Sequence, residues 1–259
     1  MQTSIIATPV LDMLNAFQKI VQKLEIDFYI VGAIARDIRL SANQGMMPKR
    51  QTKDVDIALF ISSESQFNQL KEELLATGEF TAHPTEAIKL FFKQSIEVDL
   101  LPFGEIENKA REAKLEKPRL FVMDVPGFWE ILPYAEAFDI NGVEGLKVCT
   151  LEGLVLLKLI ANDDTPSRIK DITDIEHIVS VYFELCMEDI FSHHADAAEL
   201  YPTTANNYME LAASRIIGRK IRGILDQSED LQKRILSILN KRTTGELWQA
   251  MANGMQDIE

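Results

Sequence analysis

The stretch RQTKDVDIALF, residues 50–60, constrains the fold most because it places Asp54 and Asp56 inside an apolar segment typical of a β-strand. Side chains alternate along a strand, so both carboxylates point to one face while Val55 and Ile57 point to the other. Two carboxylates this close repel each other unless a cation compensates them. The segment therefore predicts either a cation site on one face of a sheet or an edge strand whose aspartates face solvent.

A second acidic strand follows further along the chain. In SIEVDLLPF, residues 95–103, Glu97 and Asp99 also alternate with apolar residues and share a face. If the two acidic strands are neighbours, Asp99 completes a cluster of three carboxylates with Asp54 and Asp56. Hard carboxylate oxygens select Mg²⁺ or Mn²⁺, so this cluster predicts a divalent-metal site with room for two ions.

The remaining pattern predicts an α+β fold followed by a helical region. Strands 87–93 and 95–103 are close enough in sequence to pair antiparallel, and Ser63 is the predicted N-cap of a helix that stops at Gly78. The segment 104–144 predicts mixed structure with a solvated, charged face. The predicted helices cover 10–25, 33–42 and 63–76, and the predicted strands cover 27–32, 53–61, 87–93, 95–103 and 145–150. After residue 150 the pattern is helical, which predicts a domain boundary there.

Composition excludes several classes of protein. Of the 259 residues, 46% are hydrophobic and 26% charged, and no apolar run approaches the roughly 18 residues that a membrane span needs. The N-terminus lacks a basic segment followed by an uninterrupted apolar one, so we expect no secretion signal and a cytoplasmic protein. Cys149 and Cys186 are expected to be reduced core residues, and four His with two Cys make a zinc site improbable.

The net charge of −13 argues against a protein that coats nucleic acid, but it leaves a local anion site possible. A cluster of basic residues near the C-terminus predicts either a basic patch or a solvated surface. Its members are Arg215, Arg219, Lys220 and Arg222. The segment VGAIARD has one glycine where a dinucleotide-binding fingerprint needs three, and the chain has neither a P-loop nor a G-x-S-x-G motif.

The order of these motifs resembles the nucleotidyltransferase superfamily, the fold of DNA polymerase β and of the tRNA CCA-adding enzymes. The matching segments are VGA at 31–33, DVD at 54–56 and VDL at 98–100. Within the superfamily, TKDVDIALF, EVDLLPF and LKLIANDDTPSRIKDITDI are most similar to the AbiEii-type nucleotidyltransferases, which occur as toxins and phage-defence proteins. The resemblance covers roughly residues 28–180.

This resemblance implies a catalytic domain over 1–150, with a mixed sheet flanked by helices, and a helical domain over 151–259. It implies a magnesium- or manganese-dependent enzyme that transfers a nucleoside monophosphate from an NTP to a hydroxyl, with Asp54, Asp56 and Asp99 as catalytic metal ligands. The acceptor implied is a tRNA 3′ end, a protein hydroxyl or an antibiotic hydroxyl, and an antitoxin is the implied partner protein. The implied nucleotide-binding residues are Gly32, Ala33, Arg36, Lys53, Lys158 and Asp171.

Several of these residues also have a structural interpretation. Lys158 lies in an otherwise apolar helix, where its ammonium must reach solvent or find an anion. Arg168 with Asp171, and Lys170 with Asp174, have the spacing of helix-stabilising pairs. The resemblance implies an acid near the acceptor at either Asp171 or Asp174, and we prefer Asp171 because it follows Lys170 in the R-x-K-D string.

The chain departs from the family at Ala33, where the family has a second glycine or a serine. Alanine keeps a backbone N–H for phosphate but supplies no hydroxyl, and it tolerates a positive φ poorly. The alternative function is therefore a catalytically degenerate protein of the same fold that binds a nucleotide or a partner. Arg36 with Asp37 resembles the Arg-Asp pair of the CCA-adding enzymes, or it is a surface ion pair of little energetic value.

Overall fold

The computed structural model describes residues 6–44, 53–242 and 245–257. The chain divides into two compact units, Met1–Thr150 and Leu151–Glu259. We call them the first unit and the second unit. Residues 45–52, which include Lys49 and Arg50, lie outside the described residues.

The first unit is built on a seven-stranded mixed sheet with the strand order β3-β4-β5-β2-β1-β9-β8. β2 pairs parallel with β5, and β1 pairs parallel with β9, whereas the other neighbours in this sheet are antiparallel. The mixed sheet, its flanking helices and the helical region that follows confirm the predicted α+β class. The strands are β1 Phe28–Val31, β2 Asp54–Phe60, β3 Phe80–Ala82, β4 Lys89–Phe92, β5 Ile96–Phe103, β6 Glu112–Leu115, β7 Phe121–Asp124, β8 Glu136–Ile140 and β9 Val143–Val148.

In the described part of the first unit, four helices accompany this sheet, and their sequences explain their ends and their buried faces. In α1 the residues Val10, Leu14, Phe17 and Val21 are buried, as the helical spacing predicts. Ser63 caps α3 as predicted, because its hydroxyl accepts a hydrogen bond from the backbone N–H of the third helical residue at 3.3 Å. The helices are α1 Thr8–Lys23, α2 Gly32–Gln44, α3 Glu64–Ala76 and α4 Phe128–Ile131, the last followed by a 3₁₀ turn at Leu132–Tyr134.

The segment 104–144 differs from the sequence expectation. It contains the two-stranded sheet of β6 and β7 and the edge strand β8, none of which the sequence pattern predicted. Its charges are not all solvated, because Arg111 donates to Glu130 at 2.9 Å and also to Glu107, and the side chains of both glutamates are less than 10% exposed. The expectation of a solvated face is wrong for these two glutamates.

The second unit is a helical assembly in which α9 packs against several neighbours. It contacts α5, α6, α8 and α11. The helices are α5 Leu151–Asp164, α6 Ile169–Leu185, α7 Met187–His193, α8 Ala195–Glu199, α9 Tyr208–Ile224, α10 Glu229–Asn240 and α11 Glu246–Gly254. No helix in the described part of the chain is long and apolar enough to cross a membrane.

The basic residues of α9 do not form an open basic patch. Arg215 and Arg219 both bind the carboxylate of Asp257, and Lys220 donates to Asp189 at 2.6 Å. These cations therefore join α9 to neighbouring segments of the second unit. Both interpretations of the basic cluster, a free patch and a solvated surface, are wrong for these three residues.

Close packing between α9 and α11 depends on small residues, and this can be tested at Gly218. A Cβ at Gly218 would lie 2.1 Å from the carbonyl oxygen of Met251, which is backbone and cannot rotate away. We expect Gly218→Ala to lower the free energy of unfolding by about 1 to 3 kcal/mol through overpacking, as measured by urea denaturation.

Gly223→Ala is the matched control, because Gly223 lies in the same helix and an added Cβ would meet no described heavy atom within 4 Å. It should be neutral or stabilise by about 0.4 to 1 kcal/mol, since alanine restricts the unfolded chain. Equal effects of the two substitutions would contradict the packing explanation.

Candidate functional site

Four carboxylates lie on one face of two adjoining strands. β2 and β5 are parallel neighbours with Asp54 opposite Glu97 and Asp56 opposite Asp99. Partners in a parallel pair point to the same side of the sheet, and residues two apart share a face, so all four side chains lie on one side. The predicted adjacency of the two acidic strands is confirmed.

Gly32 makes room for one of these carboxylates. The chain leaves β1 at Val31, which lies opposite Asp56 in the antiparallel pair of β1 and β2, and Gly32 then begins α2 with a φ of +66°. A Cβ at Gly32 would lie 2.0 Å from Oδ2 of Asp56. The carboxylate therefore rests against the Cα of this glycine, and both the backbone conformation and the close approach require glycine here.

Ala33 does not adopt the positive φ that an alanine side chain disfavours. Within the described residues, the non-glycine positions with positive φ are Glu25, Lys93, Gln94, Arg111 and Asn141. Ala33 lies in the first turn of α2 with an ordinary helical backbone, because Gly32 alone makes the left-handed turn. A positive φ, which alanine tolerates poorly, is therefore not required at position 33.

The pKa of Asp99 is raised above that of an ordinary aspartate. Burial is the main cause, and together with the nearby charges of Asp56 and Glu97 it raises the pKa to about 6 against the opposing effect of Lys89. Its Oδ1 is buried and finds no hydrogen-bond partner among the described residues. A buried carboxylate oxygen without a donor is costly, so this atom is suited to binding a cation.

Lys89 stands next to this carboxylate, and the sequence analysis missed it. It begins β4 directly opposite Asp99 in the antiparallel pair of β4 and β5. Its ammonium donates to Oε2 of Glu97 at 2.6 Å and lies 3.7 Å from Oδ1 of Asp99. The hydrogen bond to Glu97 raises the pKa of Lys89, so the ammonium is charged at neutral pH.

The donor set fits a hard divalent cation in its chemistry. Asp54 is exposed at the start of β2, whereas Asp56 and Asp99 are half-buried, and the buried oxygen of Asp99 lacks a donor. Over residues 6–44, 53–242 and 245–257, however, no group of three or more His, Cys, Asp or Glu side chains is gathered closely enough to hold a metal ion. The strands thus supply the ligands side by side, with an ammonium between two of the acids.

The other residues predicted to bind nucleotide in the first unit lie near the same strand ends. Lys53 is exposed just before β2, and its carbonyl accepts a hydrogen bond from the N–H of Glu97 at 2.9 Å. Arg36 lies on α2 and pairs with Oδ1 of Asp37 at 3.0 Å. Asp37 is only 7% exposed, so the interpretation of this pair as a surface ion pair is wrong.

Lys158 and Asp171 lie in the second unit and contact each other. The ammonium of Lys158 on α5 donates to Asp171 at 3.2 Å and to Asp174 at 2.7 Å, both on α6. Arg168 donates to the other oxygen of Asp171 at 2.6 Å, which confirms the predicted helical pair. The ammonium of Lys158 therefore binds carboxylates rather than solvent. Nucleotide binding by Lys158 stays a prediction.

No family model matches the sequence, and no curated protein matches it. Solved structures are similar at low identity. ANT(2'')-Ia in complex with adenylyl-2''-tobramycin is 14% identical, with a TM-score of 0.44 over 80% of this chain and 97% of that one. An antigenic nucleotidyltransferase-like protein from Paracoccidioides brasiliensis is 17% identical, with a TM-score of 0.38 over 75% of this chain and 93% of that one.

A CCA-adding enzyme in complex with CTP is 15% identical, with a TM-score of 0.36 over 91% of this chain and 54% of that one. Alignments at this level assign neither an activity nor a substrate to the chain. The chemistry of the site is therefore argued from its own residues.

The contact between Gly32 and Asp56 can be separated from backbone strain by comparing two glycines. Gly32 and Gly145 have φ values of +66° and +62°, so the left-handed backbone conformation destabilises an alanine by a similar amount, about 1 kcal/mol, at either position. Only at Gly32 would the new methyl group strike a carboxylate, since a Cβ at Gly145 meets no described heavy atom within 4 Å. We expect Gly32→Ala to cost at least about 1 kcal/mol more than Gly145→Ala in urea denaturation.

The raised pKa of Asp99 predicts a dependence of stability on pH. An unfolded aspartate titrates near about 3.9, so between that value and about 6 the folded protein binds the extra proton, and the free energy of unfolding falls as pH rises. Asp99→Asn removes this loss. In EDTA, we expect the free energy of unfolding of the variant, measured relative to that of the wild type, to increase by about 1 to 2 kcal/mol from about pH 4 to about pH 8.

Asp124→Asn is the control for this pH dependence, because Asp124 is an exposed aspartate on β7. Its difference from the wild type should be the same at both pH values. A gain for Asp99→Asn that does not change with pH would show that Asp99 titrates normally in the folded protein.

Proposed function

We propose that the first unit is the catalytic domain of a metal-dependent nucleotidyltransferase, which transfers a nucleoside monophosphate from an NTP to a hydroxyl acceptor. The observation that supports this most is the in-register placement of Asp56 and Asp99 on adjoining strands, with Asp54 beside them and Asp56 against the glycine that begins α2. Acidic side chains at such density are unfavourable for stability alone, and their function is to share a cation.

In this reaction the acceptor oxygen forms a bond to the α-phosphorus, the bond from that phosphorus to the bridging oxygen breaks, and pyrophosphate leaves. The protein has to neutralise charge and align the reactants rather than provide a nucleophile. Asp54, Asp56 and Asp99 would hold Mg²⁺ or Mn²⁺. The bound cation supplies neutralisation of the phosphate charge and lowers the pKa of the acceptor hydroxyl.

Asp99 is suited to a second role as the group that takes the proton from the acceptor. Without a bound cation its pKa is raised to about 6, so the carboxylate is ionised and able to accept a proton at neutral pH. Its half-buried position beside Asp56 keeps it on the acidic face. Asp54 is exposed and is less suited to this task.

Phosphate binding is proposed for the N-terminus of α2 and for nearby cations. The backbone N–H groups of Gly32 and Ala33 open a helix of 13 residues, and helix N-termini favour anions. Arg36 and Lys53 would add charge from the first unit. Lys158 and Asp171 are proposed nucleotide-binding residues of the second unit.

The acceptor and the partner are proposed by chemical class. A tRNA 3′ end, a protein hydroxyl and an antibiotic hydroxyl each provide the required oxygen, and a role as a toxin would add an antitoxin protein as partner. The ion pairs of Arg215, Arg219 and Lys220 weigh against a basic RNA-binding surface on α9. A protein or small-molecule hydroxyl is therefore the acceptor that we favour.

The catalytic proposal is tested by incubating the pure protein with Mg²⁺, each α-³²P-labelled NTP in turn, and either bulk tRNA, cell lysate or an aminoglycoside. We expect label transfer by the wild type and a loss of at least about 100-fold for Asp56→Asn and Asp99→Asn, because each removes charge from the metal-binding face. Asp124→Asn, which changes an exposed aspartate on β7 outside the acidic face, should keep full activity.

Each outcome of this experiment distinguishes the two functions. Transfer that persists equally in Asp56→Asn, Asp99→Asn and the wild type would contradict the catalytic proposal. Thermal stabilisation of the wild type by an NTP with no label transfer to any acceptor would favour the alternative, a degenerate nucleotide-binding protein. The ordinary backbone of Ala33 weakens the structural reason for that alternative.

A further inference from the structure

We propose that Lys89 is a positioning residue that sets how strongly the acidic face binds a divalent cation, by holding Glu97 out of the ligand set and placing a positive charge beside Asp99. The inference rests on the proposed function, because it assigns a role at the same acidic face. Its test, however, measures cation binding alone and needs neither a nucleotide nor an acceptor.

The ammonium of Lys89 lies closer to one of its two acidic neighbours than to the other. Its ammonium makes a hydrogen bond of 2.6 Å to Glu97, whereas it lies 3.7 Å from Oδ1 of Asp99, beyond hydrogen-bonding distance. Glu97 is thereby engaged, and the buried Oδ1 of Asp99 keeps its lone pairs free among the described residues. Of the two acids on β5, Asp99 is therefore the one that presents a buried oxygen without a hydrogen-bond donor, whereas one oxygen of Glu97 is held by Lys89.

This arrangement has a clear origin in the strands. Lys89 opposes Asp99 across the β4 and β5 pair, and Glu97 lies two residues from Asp99 on the same face of β5. The lysine side chain is 20% exposed, which limits the solvent that screens its charge from the neighbouring acids. An ammonium held this way attracts Glu97 and repels any cation that approaches Asp99.

An electrostatic role and a purely structural role of the salt bridge between Lys89 and Glu97 predict different effects of two substitutions that break it. Lys89→Met removes a positive charge and releases Glu97 as a further ligand, so the face should bind Mn²⁺ on the order of tenfold more tightly. Glu97→Gln removes a negative charge and leaves the ammonium free to approach Asp99, so binding should weaken by at least about threefold. A purely structural salt bridge would shift both variants in the same direction.

Mn²⁺ alone is the probe, and the free ion is counted by electron paramagnetic resonance in a titration of each full-length protein. Lys89→Arg keeps the charge and should bind within about twofold of the wild type. Lys93→Met is the matched control, because Lys93 follows the same strand but pairs at 3.0 Å with Glu79 and is 54% exposed. It should also leave the affinity within about twofold. Thermal unfolding in EDTA verifies that every variant is folded.

Opposite shifts for Lys89→Met and Glu97→Gln, with Lys89→Arg unchanged, would support the inference. Equal affinities for Lys89→Met and the wild type, a shift of both variants in one direction, or no Mn²⁺ binding by either protein would overturn it. These results are distinct from failure of the proposed function, which shows as label transfer that is insensitive to Asp56→Asn and Asp99→Asn. Should Lys89→Met fail to fold, Glu97→Gln and Lys89→Arg still decide the question, because weaker binding by the first and unchanged binding by the second are both required.

Discussion

The acidic face of the first unit is governed by the electrostatic repulsion between Asp56 and Asp99. The parallel register of β2 and β5 places the two residues opposite each other, and adjacent strands are only about 4.8 Å apart. Two like charges about 4 Å apart repel by about 1 kcal/mol in water and by several times more in a partly buried site. The residues around the two carboxylates either reduce this repulsion or leave it in place.

Two features accommodate the acids without neutralising all of them. Gly32 has no Cβ, so the carboxylate of Asp56 can lie at the start of α2, where the dipole of the helix favours negative charge. Lys89 binds Glu97 and lies near Asp99 from the opposite side of β5. Asp99 nevertheless retains a raised pKa and a buried oxygen without a donor, so the compensation is incomplete in the isolated chain. That residual charge is what a divalent cation would neutralise.

The sequence predicted the strands that carry Asp54, Asp56 and Asp99 because period-two alternation is strong in both segments. It did not predict Lys89, because that requires the register of the β4 and β5 hairpin. The turn uses Lys93 and Gln94 with φ values of +45° and +56°, without the glycine or asparagine that marks such turns in a sequence. A slip of one residue would have turned Lys89 to the other face, so its position could not be read from the pattern. The pairing of Arg111 with Glu130 was missed for a similar reason, since it joins residues that only the fold brings together.

The second unit illustrates why a residue predicted to bind a nucleotide can have a structural role as well. Lys158, Arg168, Asp171 and Asp174 form a group with two positive and two negative charges, and the carboxylate of Asp171 is shared by both cations. Lys158 is 15% exposed, and removing its ammonium would leave two partly buried aspartates with less compensation, which is costly for stability. A phosphate that binds Lys158 must therefore compete with Asp171 and Asp174. Loss of activity in a variant of Lys158 would then reflect both phosphate binding and the packing of α5 on α6, and only a comparison of nucleotide affinity with unfolding free energy in the same variant separates the two contributions.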